Sequence, residues 1–260
     1  MPGTAIGKGL HTLDLLAGEV NGVTVNDVAA HLKIPKAGAH KVLNALVACN
    51  VVREDAAAGR YFLTLQLTRL GFLYLSRSGI SAVYQPILDR LAEHTGELVR
   101  LALAEGERIT WVGMAQGAKS GLRIAPDTGR DVNLHVTATG KAWLAAFALE
   151  HAVKLVLDHG FGEDGEFGPN AIHDVERLIE EVKIANKNGY AISVDEYIAG
   201  MSAVAMVIPG YDGTPLGTLS IAGPTARMTR QQMRKLCPLL KAAADELSAL
   251  SPVLAGRSAG

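Results

Sequence analysis

The segment from Thr24 to Thr64 constrains the fold of this 260-residue chain more than any other stretch. Thr24 precedes a short run with helical apolar spacing, and an acid, Asp27, follows three residues later, as is typical of a capped helix N-terminus. The tight turn Lys33–Pro35 then leads into a second helical segment. Pro35 suits the first position of this helix, which is predicted to end near Cys49. Two short helices joined in this way, with the second one polar and basic on its outer side, suit docking into the major groove of DNA.

The outer side of the second helix and a following hairpin supply the predicted DNA contacts. Asparagine can pair with adenine through two hydrogen bonds, and lysine can reach guanine or a phosphate. The strand-like runs Val51–Arg53 and Tyr61–Thr64 predict a β-hairpin wing. The predicted DNA-binding residues are Lys36, Gly38, Ala39, His40, Lys41 and Asn44 on the helix, with Arg53 and Arg60 at the base and tip of the wing.

A small three-helix bundle whose third helix merely has a solvated basic face is the alternative to a DNA reader. The formal net charge of the whole chain is -1, so no general basic excess supports nucleic-acid binding. Residues 1–75 hold seven Lys or Arg residues against five Asp or Glu residues, which is a local excess of two positive charges. The pattern alone therefore leaves both interpretations open.

Helices and strands alternate through the rest of the chain and predict a second domain. Apolar spacing from Gln66 to Ser78 predicts a helix that links the two domains, with an ordinary core helix as the alternative. A hairpin over Leu98–Met114, a strand near 121–125, a helix over Ala138–Ala148, three later strands and a closing helix then predict one sheet with helices on it. The expected fold class is α+β, with a winged helix-turn-helix over 1–65, the linker helix over 66–79 and a C-terminal domain over 80–260.

The sequence offers little support for an enzyme or a metalloprotein, although an enzyme remains a rival class. It lacks G-x-S-x-G, a glycine-rich phosphate loop and H-E-x-x-H. Its only cysteines are Cys49 and Cys237, and the acid-rich loop Glu163–Glu166 does not fit a calcium loop. We predict no catalytic residues, no metal and no cofactor. With no signal peptide or membrane span evident, a cytoplasmic protein without a membrane partner is expected.

Several stretches resemble the IclR family of bacterial transcription regulators. In the first domain these are Gly9–Leu16, the turn Leu32–Lys36, Ala39–Leu43 and Tyr61–Leu63. The resemblance implies an effector-controlled transcription regulator that binds a double-stranded DNA operator as a homodimer or as a dimer of dimers. A repressor is expected, with an activator as the alternative. The family has two hydroxyl residues where this chain has Ala37 and Gly38, so operator affinity or preference is expected to differ. A ligand-binding protein that has lost specific DNA reading is therefore a further alternative.

The resemblance continues through Leu134–Ala142, Asn188–Tyr190 and Leu219–Pro224, so it covers most of the chain. In the family these stretches belong to a GAF-like α/β effector-binding domain with a mainly antiparallel sheet. Carried over position by position, the implied effector-binding residues are Ile124, Ala138, Thr139, Ser193, Met201, Ala203, Ser220 and Ala222.

The implied pocket departs from the family pattern in ways that predict the effector. Ser193 replaces a common acid, Ala203 a cysteine and Ala222 a second serine, so the pocket loses polar groups. We therefore expect a small organic or aromatic acid or amide of a catabolic pathway rather than a short oxoacid. Small residues after Thr137 could expose backbone N–H groups to an anion, with simple capping and close packing as the alternative.

Overall fold

The chain divides into two compact units, Met1–Ser78 and Gly79–Gly260. The structure, a computed structural model, describes residues 4–124, 129–163, 165–210 and 213–251. The boundaries of the DNA-binding domain, the linker helix and the effector domain, placed after residues 65 and 79, stay a prediction. Among the described residues, no helix is both long enough and apolar enough to cross a bilayer.

The N-terminal unit contains three helices, a hairpin and a further helix. These elements are α1 (Ala5–Gly18), α2 (Val25–Leu32), α3 (Lys36–Ala48), β1 (Val52–Asp55), β2 (Arg60–Leu63) and α4 (Gln66–Ser78). Apolar residues from α1, α2, α3 and the hairpin form its core, including Leu16, Val28, Ala39, Leu43, Val52 and Tyr61.

Local interactions fix both ends of α2 and the start of α3. The backbone N–H of Thr24 donates to Asp27 (2.7 Å), and the backbone N–H of Asp27 donates to the Thr24 hydroxyl (3.3 Å), so the predicted capping box is present. Hydrogen bonds from the Thr24 backbone and hydroxyl lower the pKa of the Asp27 carboxyl. Lys33 ends α2 in the left-handed region with φ 52°. Pro35 is the N-cap of α3 rather than its first helical residue, because its backbone is extended.

The C-terminal unit is a five-stranded antiparallel sheet with helices on both faces. Its elements are α5 (Ile80–Thr95), β3 (Leu98–Glu105), β4 (Arg108–Gln116), α6 (Ala138–Leu144), α7 (Leu149–His159), α8 (Val175–Asn188), β5 (Ala191–Val194), β6 (Met201–Pro209), β7 (Pro215–Pro224) and α9 (Arg230–Ala249). The strand order is β4-β3-β7-β6-β5, and every neighbouring pair is antiparallel. The predicted α+β class is thereby confirmed.

Side chains alternate between the two faces of this sheet, as the pleat of a strand requires. Large residues such as Val204, Leu219 and Ile221 share one core cluster with residues of α5 and α9. On the opposite face, Ala203 and Ala222 join a second cluster with residues of α6, α7 and α8. The sheet is therefore lined by large side chains on one face and by small ones in the middle of the other.

Two predicted elements differ from the structure. Gly121–Ile124, where a strand was expected, lies outside every strand, and Ala125 lies outside the described residues. The helix predicted to run from Ala138 to 148 ends at Leu144. Its end tightens, because the backbone N–H of Ala146 and that of Phe147 each donate to the carbonyl three residues back.

A buried ion pair fixes α6 against the loop that follows β5. Lys141 on α6 is fully buried, and its Nζ lies 2.7 and 2.9 Å from the two carboxylate oxygens of Glu196. The same Nζ lies 2.9 Å from Glu181 on α8. Desolvation raises the pKa of Glu196 even though Lys141 pulls it down. The lysine is therefore needed to keep this buried carboxylate charged.

Replacing Lys141 with methionine is expected to lower the free energy of unfolding by about 3–5 kcal/mol, since Glu196 would keep a buried charge without its cation. An acid with a raised folded pKa holds its proton better in the folded state. As the pH falls from neutral toward the ordinary Glu pKa of 4.5, Glu196 in the variant gains a proton and loses its buried charge. The difference in free energy of unfolding between the variant and the wild type should therefore become smaller. Urea unfolding across this pH range measures the gap.

The matched control is Lys154→Met, which breaks the exposed pair with Asp158 on α7. This variant should unfold at nearly the same urea concentration as the wild type, because an exposed ion pair contributes little to stability. A Lys141→Met protein as stable as the wild type at neutral pH would contradict the role given to the buried pair.

Candidate functional site

The exposed side of α3 carries most of the residues predicted to face DNA. Lys36, His40, Lys41 and Asn44 are all exposed, and they lie at helical spacing along one side. Ala39 is not part of this exposed set, because its side chain has 0% exposure and packs in the core of the unit, and a DNA contact by Ala39 stays a prediction. The exposed set can donate hydrogen bonds and offers positive charge, which is what a helix in the major groove requires.

Gly38 is half-buried on the same helix and lies beside the turn. A β-carbon at this position would lie 3.4 Å from Cδ1 of Ile34, which is ordinary contact. The backbone of Gly38 is helical, so the position does not require glycine. A DNA contact by Gly38 stays a prediction.

The two wing arginines make contacts within their own unit. The Arg53 guanidinium stacks over the Phe62 ring at 4.3 Å, and Arg60 donates to the carbonyl of Gly22 at 2.7 Å. Asp55 faces Arg60 across the hairpin and accepts the backbone N–H groups of two residues at the tip. These contacts give the wing a fixed shape, and DNA binding by Arg53 and Arg60 stays a prediction.

The predicted effector residues gather on the small-residue face of the C-terminal sheet. Ala138, Met201, Ala203 and Ala222 belong to one buried cluster, against which the half-buried Ile124 packs. The other three, Thr139, Ser193 and Ser220, are buried. Their placement is compatible with a common site, and effector contact by each of the eight stays a prediction.

Two of these hydroxyl groups already donate to the backbone. Ser193 Oγ donates to the carbonyl of Val136 at 2.9 Å, and Ser220 Oγ donates to the carbonyl of Arg100 at 3.4 Å. Each serine oxygen still has lone pairs with which it can accept a hydrogen bond. The Thr139 hydroxyl is different, because it is buried and has no hydrogen-bond partner among the described residues.

The first turn of α6 packs closely against the chain before it, which restricts the size of its side chains. The Thr137 hydroxyl accepts the backbone N–H of Gly140 at 2.9 Å, so Thr137 is the N-cap as predicted. A β-carbon on Gly140 would lie 2.5 Å from the Leu134 backbone, which leaves no room for a side chain. Close packing and capping therefore account for Gly140 without an anion.

A buried cation on the same face was missed by the sequence reasoning. Arg100 in β3 is 2% exposed, and its guanidinium lies 4.4 Å over the ring of Trp111 in β4. Register pairs Arg100 with Ser220, so the two side chains share a face of the sheet. An arginine within the apolar run Leu98–Ala104 was the available signal, because a strand that buries a charge needs a reason to do so.

Aromatic side chains continue from Trp111 along this side of the unit. The Trp111 and Tyr197 ring centroids lie 6.3 Å apart, and Tyr197 lies 6.2 Å from Phe167. Phe167 and Phe161 both pack edge-on against His135, whose pKa is lowered by burial. This aromatic row supplies a broad apolar wall.

One described cavity lies away from the predicted effector residues. It has a volume of about 210 Å³ and is lined by Ala142, Ala145, Ala146, Ala185, Asn186, Gly189, Tyr190 and Val207. None of the eight predicted residues lines it. Within the described parts of the chain, no group of three or more His, Cys, Asp or Glu residues is placed to hold a metal ion.

Comparison with protein families gives two matches that together span most of the chain. Residues 5–56 match the IclR helix-turn-helix domain, and residues 72–249 match the C-terminal domain of IclR-type bacterial transcriptional regulators. The HTH-type transcriptional repressor AllR of Escherichia coli K12 is 25% identical over 244 residues, which cover 94% of this chain and 89% of AllR.

Solved structures show the same fold over nearly the whole length. An IclR-type regulator from Silicibacter sp. TM1040 has a TM-score of 0.80 at 26% identity, covering 95% of this chain and 96% of that one. The regulator from Alicyclobacillus acidocaldarius has a TM-score of 0.80 at 25% identity, with 95% and 98% covered. An IclR homologue from Microbacterium hydrocarbonoxydans, complexed with 4-hydroxybenzoate, has a TM-score of 0.71 at 17% identity, with 99% and 100% covered.

Replacing Gly38 with alanine is expected to raise the free energy of unfolding of the N-terminal unit by about 1 kcal/mol. The reason is that alanine loses less backbone entropy in a helix, and the space beside Ile34 accepts its methyl group. Urea unfolding of the full chain, followed by far-ultraviolet circular dichroism, measures the change. Lower stability than the wild type would show that the position needs glycine.

Proposed function

Because the chain belongs to the IclR family of bacterial transcriptional regulators, we propose that α3 reads a double-stranded DNA operator under the control of a small-molecule effector. The observation that carries this proposal is the exposed polar side of α3, which combines Lys36, His40, Lys41 and Asn44. The lysines bind phosphates or guanine, and Asn44 is the residue that can pair with adenine. Arg53 and Arg60 hold the wing beside the duplex.

The effector binds in the C-terminal unit, on the face of the sheet that carries Ser220 and Ala222. It is a small organic or aromatic acid or amide, because this face combines small residues and nearby aromatic rings with few polar groups. The Microbacterium homologue that holds 4-hydroxybenzoate shares this fold and lends the class some support. The protein binds this molecule without turning it over, as a cytoplasmic regulator and not an enzyme.

The regulator acts as a homodimer, which could also assemble as a dimer of dimers. Helix α4 has no buried residue, and large apolar side chains are exposed on it and just before it, namely Leu65, Leu70, Phe72, Leu73 and Tyr74. Helix α1 exposes Ile6 and Leu10. Apolar surface of this extent marks a protein interface. Two copies would present two α3 helices to successive major-groove segments of a palindromic operator.

Regulation is allosteric, and its sign is repression. Effector binding changes the fraction of the protein that can bind the operator, and α4 transmits the change as the linker helix. AllR, which matches over most of the chain, is a transcriptional repressor. A repressor whose effector releases it from DNA would allow transcription when the effector is present.

A ligand-binding protein without specific DNA reading is the second candidate, and the residues of α3 favour it in one respect. Ala37 and Gly38 carry no hydroxyl groups with which to bond phosphates, and the four turn residues of the wing, 56–59, include no cation. Footprinting on the DNA upstream of the chain's own gene separates the two candidates. Sequence-selective protection supports the regulator, and absence of protection with and without ligand supports the second candidate.

Replacing Lys36 or Lys41 with alanine is expected to weaken operator binding and to reduce the slope of log affinity against log salt by about 1 for each phosphate that is no longer bound. Fluorescence anisotropy over a series of salt concentrations measures the slope. Lys154→Ala on α7 is the control, and its slope should match that of the wild type. Unchanged slopes in both α3 variants would contradict this docking.

Replacing Phe72 with aspartate is expected to shift the protein from dimer to monomer, because the side chain is 68% exposed in the single chain and would become charged at the interface. Analytical ultracentrifugation measures the mass. The control is Leu157→Asp on α7, an exposed leucine outside the N-terminal unit. A Phe72→Asp dimer as tight as the wild type would place the interface elsewhere.

A further inference from the structure

Residues 117–124, which we call the strap, pass around one end of the C-terminal sheet. The strap follows β4 and lies outside every helix and strand. Its first backbone N–H, that of Gly117, donates to the carbonyl of Glu97 at 3.0 Å, and a β-carbon on Gly117 would overlap the carbonyl of Ala92 in α5. At the other end, Ile124 packs against the cluster on the small-residue face. The strap therefore begins beside α5 and ends on the opposite face of the sheet.

Predicted effector residues lie beside the end of the strap. Register pairs Leu98 with both Gln116 and Ala222. Ala222 pairs in turn with Ala203, which completes a row on the small-residue face. Gln116 Nε2 donates to the carbonyl of Ile124 at 3.2 Å and holds the end of the strap at this row. A molecule from solvent can reach Ala222 (0% exposed) and Ala203 (3% exposed) only after a covering segment has moved.

One arginine holds the middle of the strap against the sheet. In the loop after β7, Nε and Nη2 of Arg227 donate to the two carboxylate oxygens of Glu97 at 2.7 and 3.0 Å. The same Nη2 donates to the carbonyl of Leu122 in the strap at 3.1 Å. The Glu97 carboxylate is buried, and a β-carbon on Gly223 would overlap it. Arg227 thus joins the strap to the start of β3 and to the end of β7.

The strap is held more weakly than the sheet beneath it. Strands β3 and β7 are paired by backbone hydrogen bonds along a six-residue register, whereas side chains of Gln116 and Arg227 fix the end and the middle of the strap. The Arg227 side chain is 43% exposed and Leu122 is 68% exposed, so water can replace their contact. Segments with exposed hydrogen bonds and little buried apolar surface open at a lower free energy than the core. The strap can therefore open while the sheet stays paired.

We propose that the strap is a gate for the effector, and that Arg227 and Gln116 are positioning residues that keep it closed. Opening breaks the hydrogen bonds from Arg227 to Leu122 and from Gln116 to Ile124, and it leaves the sheet paired. A small organic molecule then enters beside Ala222. This inference rests on the proposed function, which places the effector on this face of the sheet, and it adds the route by which the effector enters.

The test is the access of a small reagent to a thiol placed under the strap. Both native cysteines are first removed from the full-length chain by Cys49→Ser and Cys237→Ser. Ala222→Cys then places a thiol beside the strap, and Val204→Cys, at an equally buried position, places one on the opposite face. Alkylation by iodoacetamide is followed by intact-protein mass spectrometry. We expect the Ala222→Cys thiol to react about 10-fold faster, because opening the strap costs less free energy than opening the core.

Variants of Arg227 then test the gate itself. Arg227→Met should speed alkylation of the Ala222→Cys thiol by about 10-fold, because the hydrogen bond to the strap is lost. The Val204→Cys thiol should react at an unchanged rate. Arg227→Lys keeps a charge beside Glu97 without the fork that also reaches Leu122, so its effect should be smaller.

A second variant and a control complete the set. Gln116→Met removes the hydrogen bond to Ile124 and should act in the same direction as Arg227→Met. The matched control is Arg90→Met, which breaks the exposed ion pair with Glu246 between α5 and α9 and should alter neither rate. If Arg227→Met does not fold, Arg227→Lys and Gln116→Met decide the matter.

The outcomes separate this inference from the proposed function. Equal reaction rates of the two thiols, or no reaction of either, overturn the gate, since the strap then does not open ahead of the core. Rates that rise together in the Arg227 and Gln116 variants, or that do not change, overturn it as well. Operator binding is measured on the same preparations by footprinting. A chain that protects its operator and fails the thiol tests remains a DNA reader and loses only the gate.

Discussion

The alternation of side chains along β6 and β7 is the constraint on which the C-terminal unit depends. One face of these strands carries Val204, Leu219 and Ile221, which pack against α5 and α9 and supply much of the buried apolar surface. The other face carries Ala203 and Ala222 at its centre. Because a one-residue slip in register would exchange the faces, the same pairing that stabilises the sheet also keeps small residues where a ligand can lie.

Helix α6 closes part of that second face, and the buried Lys141–Glu196 pair fixes its position. Glu196 belongs to the loop after β5, whose next residue, Tyr197, continues the aromatic row that begins at Trp111. The carbonyl of Glu196 also accepts the backbone N–H of Gly168 at 2.9 Å. A single buried cation thus connects α6 to a loop that carries part of the aromatic row.

The sequence predicts the parts of this molecule that local rules control. The cap at Thr24, the turn before α3 and the alternating strands follow from short-range hydrogen bonding and from periodicity. The sequence does not resolve the role of each residue on α3, because one turn of a helix contains both exposed positions such as His40 and buried ones such as Ala39. Arg100 was missed for a different reason. The apolar run around it was a local signal that this strand is buried, but the residues that surround Arg100 come from pairing between β3 and β7, which are more than a hundred residues apart in the sequence.

The central claim is that ligand occupancy of the C-terminal unit and operator occupancy of α3 are energetically coupled. The most direct measurement is a thermodynamic cycle on the full-length chain, in which the affinity for the effector is determined with and without saturating operator DNA, and the affinity for DNA with and without saturating effector. We predict that both ratios are equal and lie between about 5- and 150-fold. An effector that binds with the same affinity to the free and the DNA-bound chain would contradict this coupling.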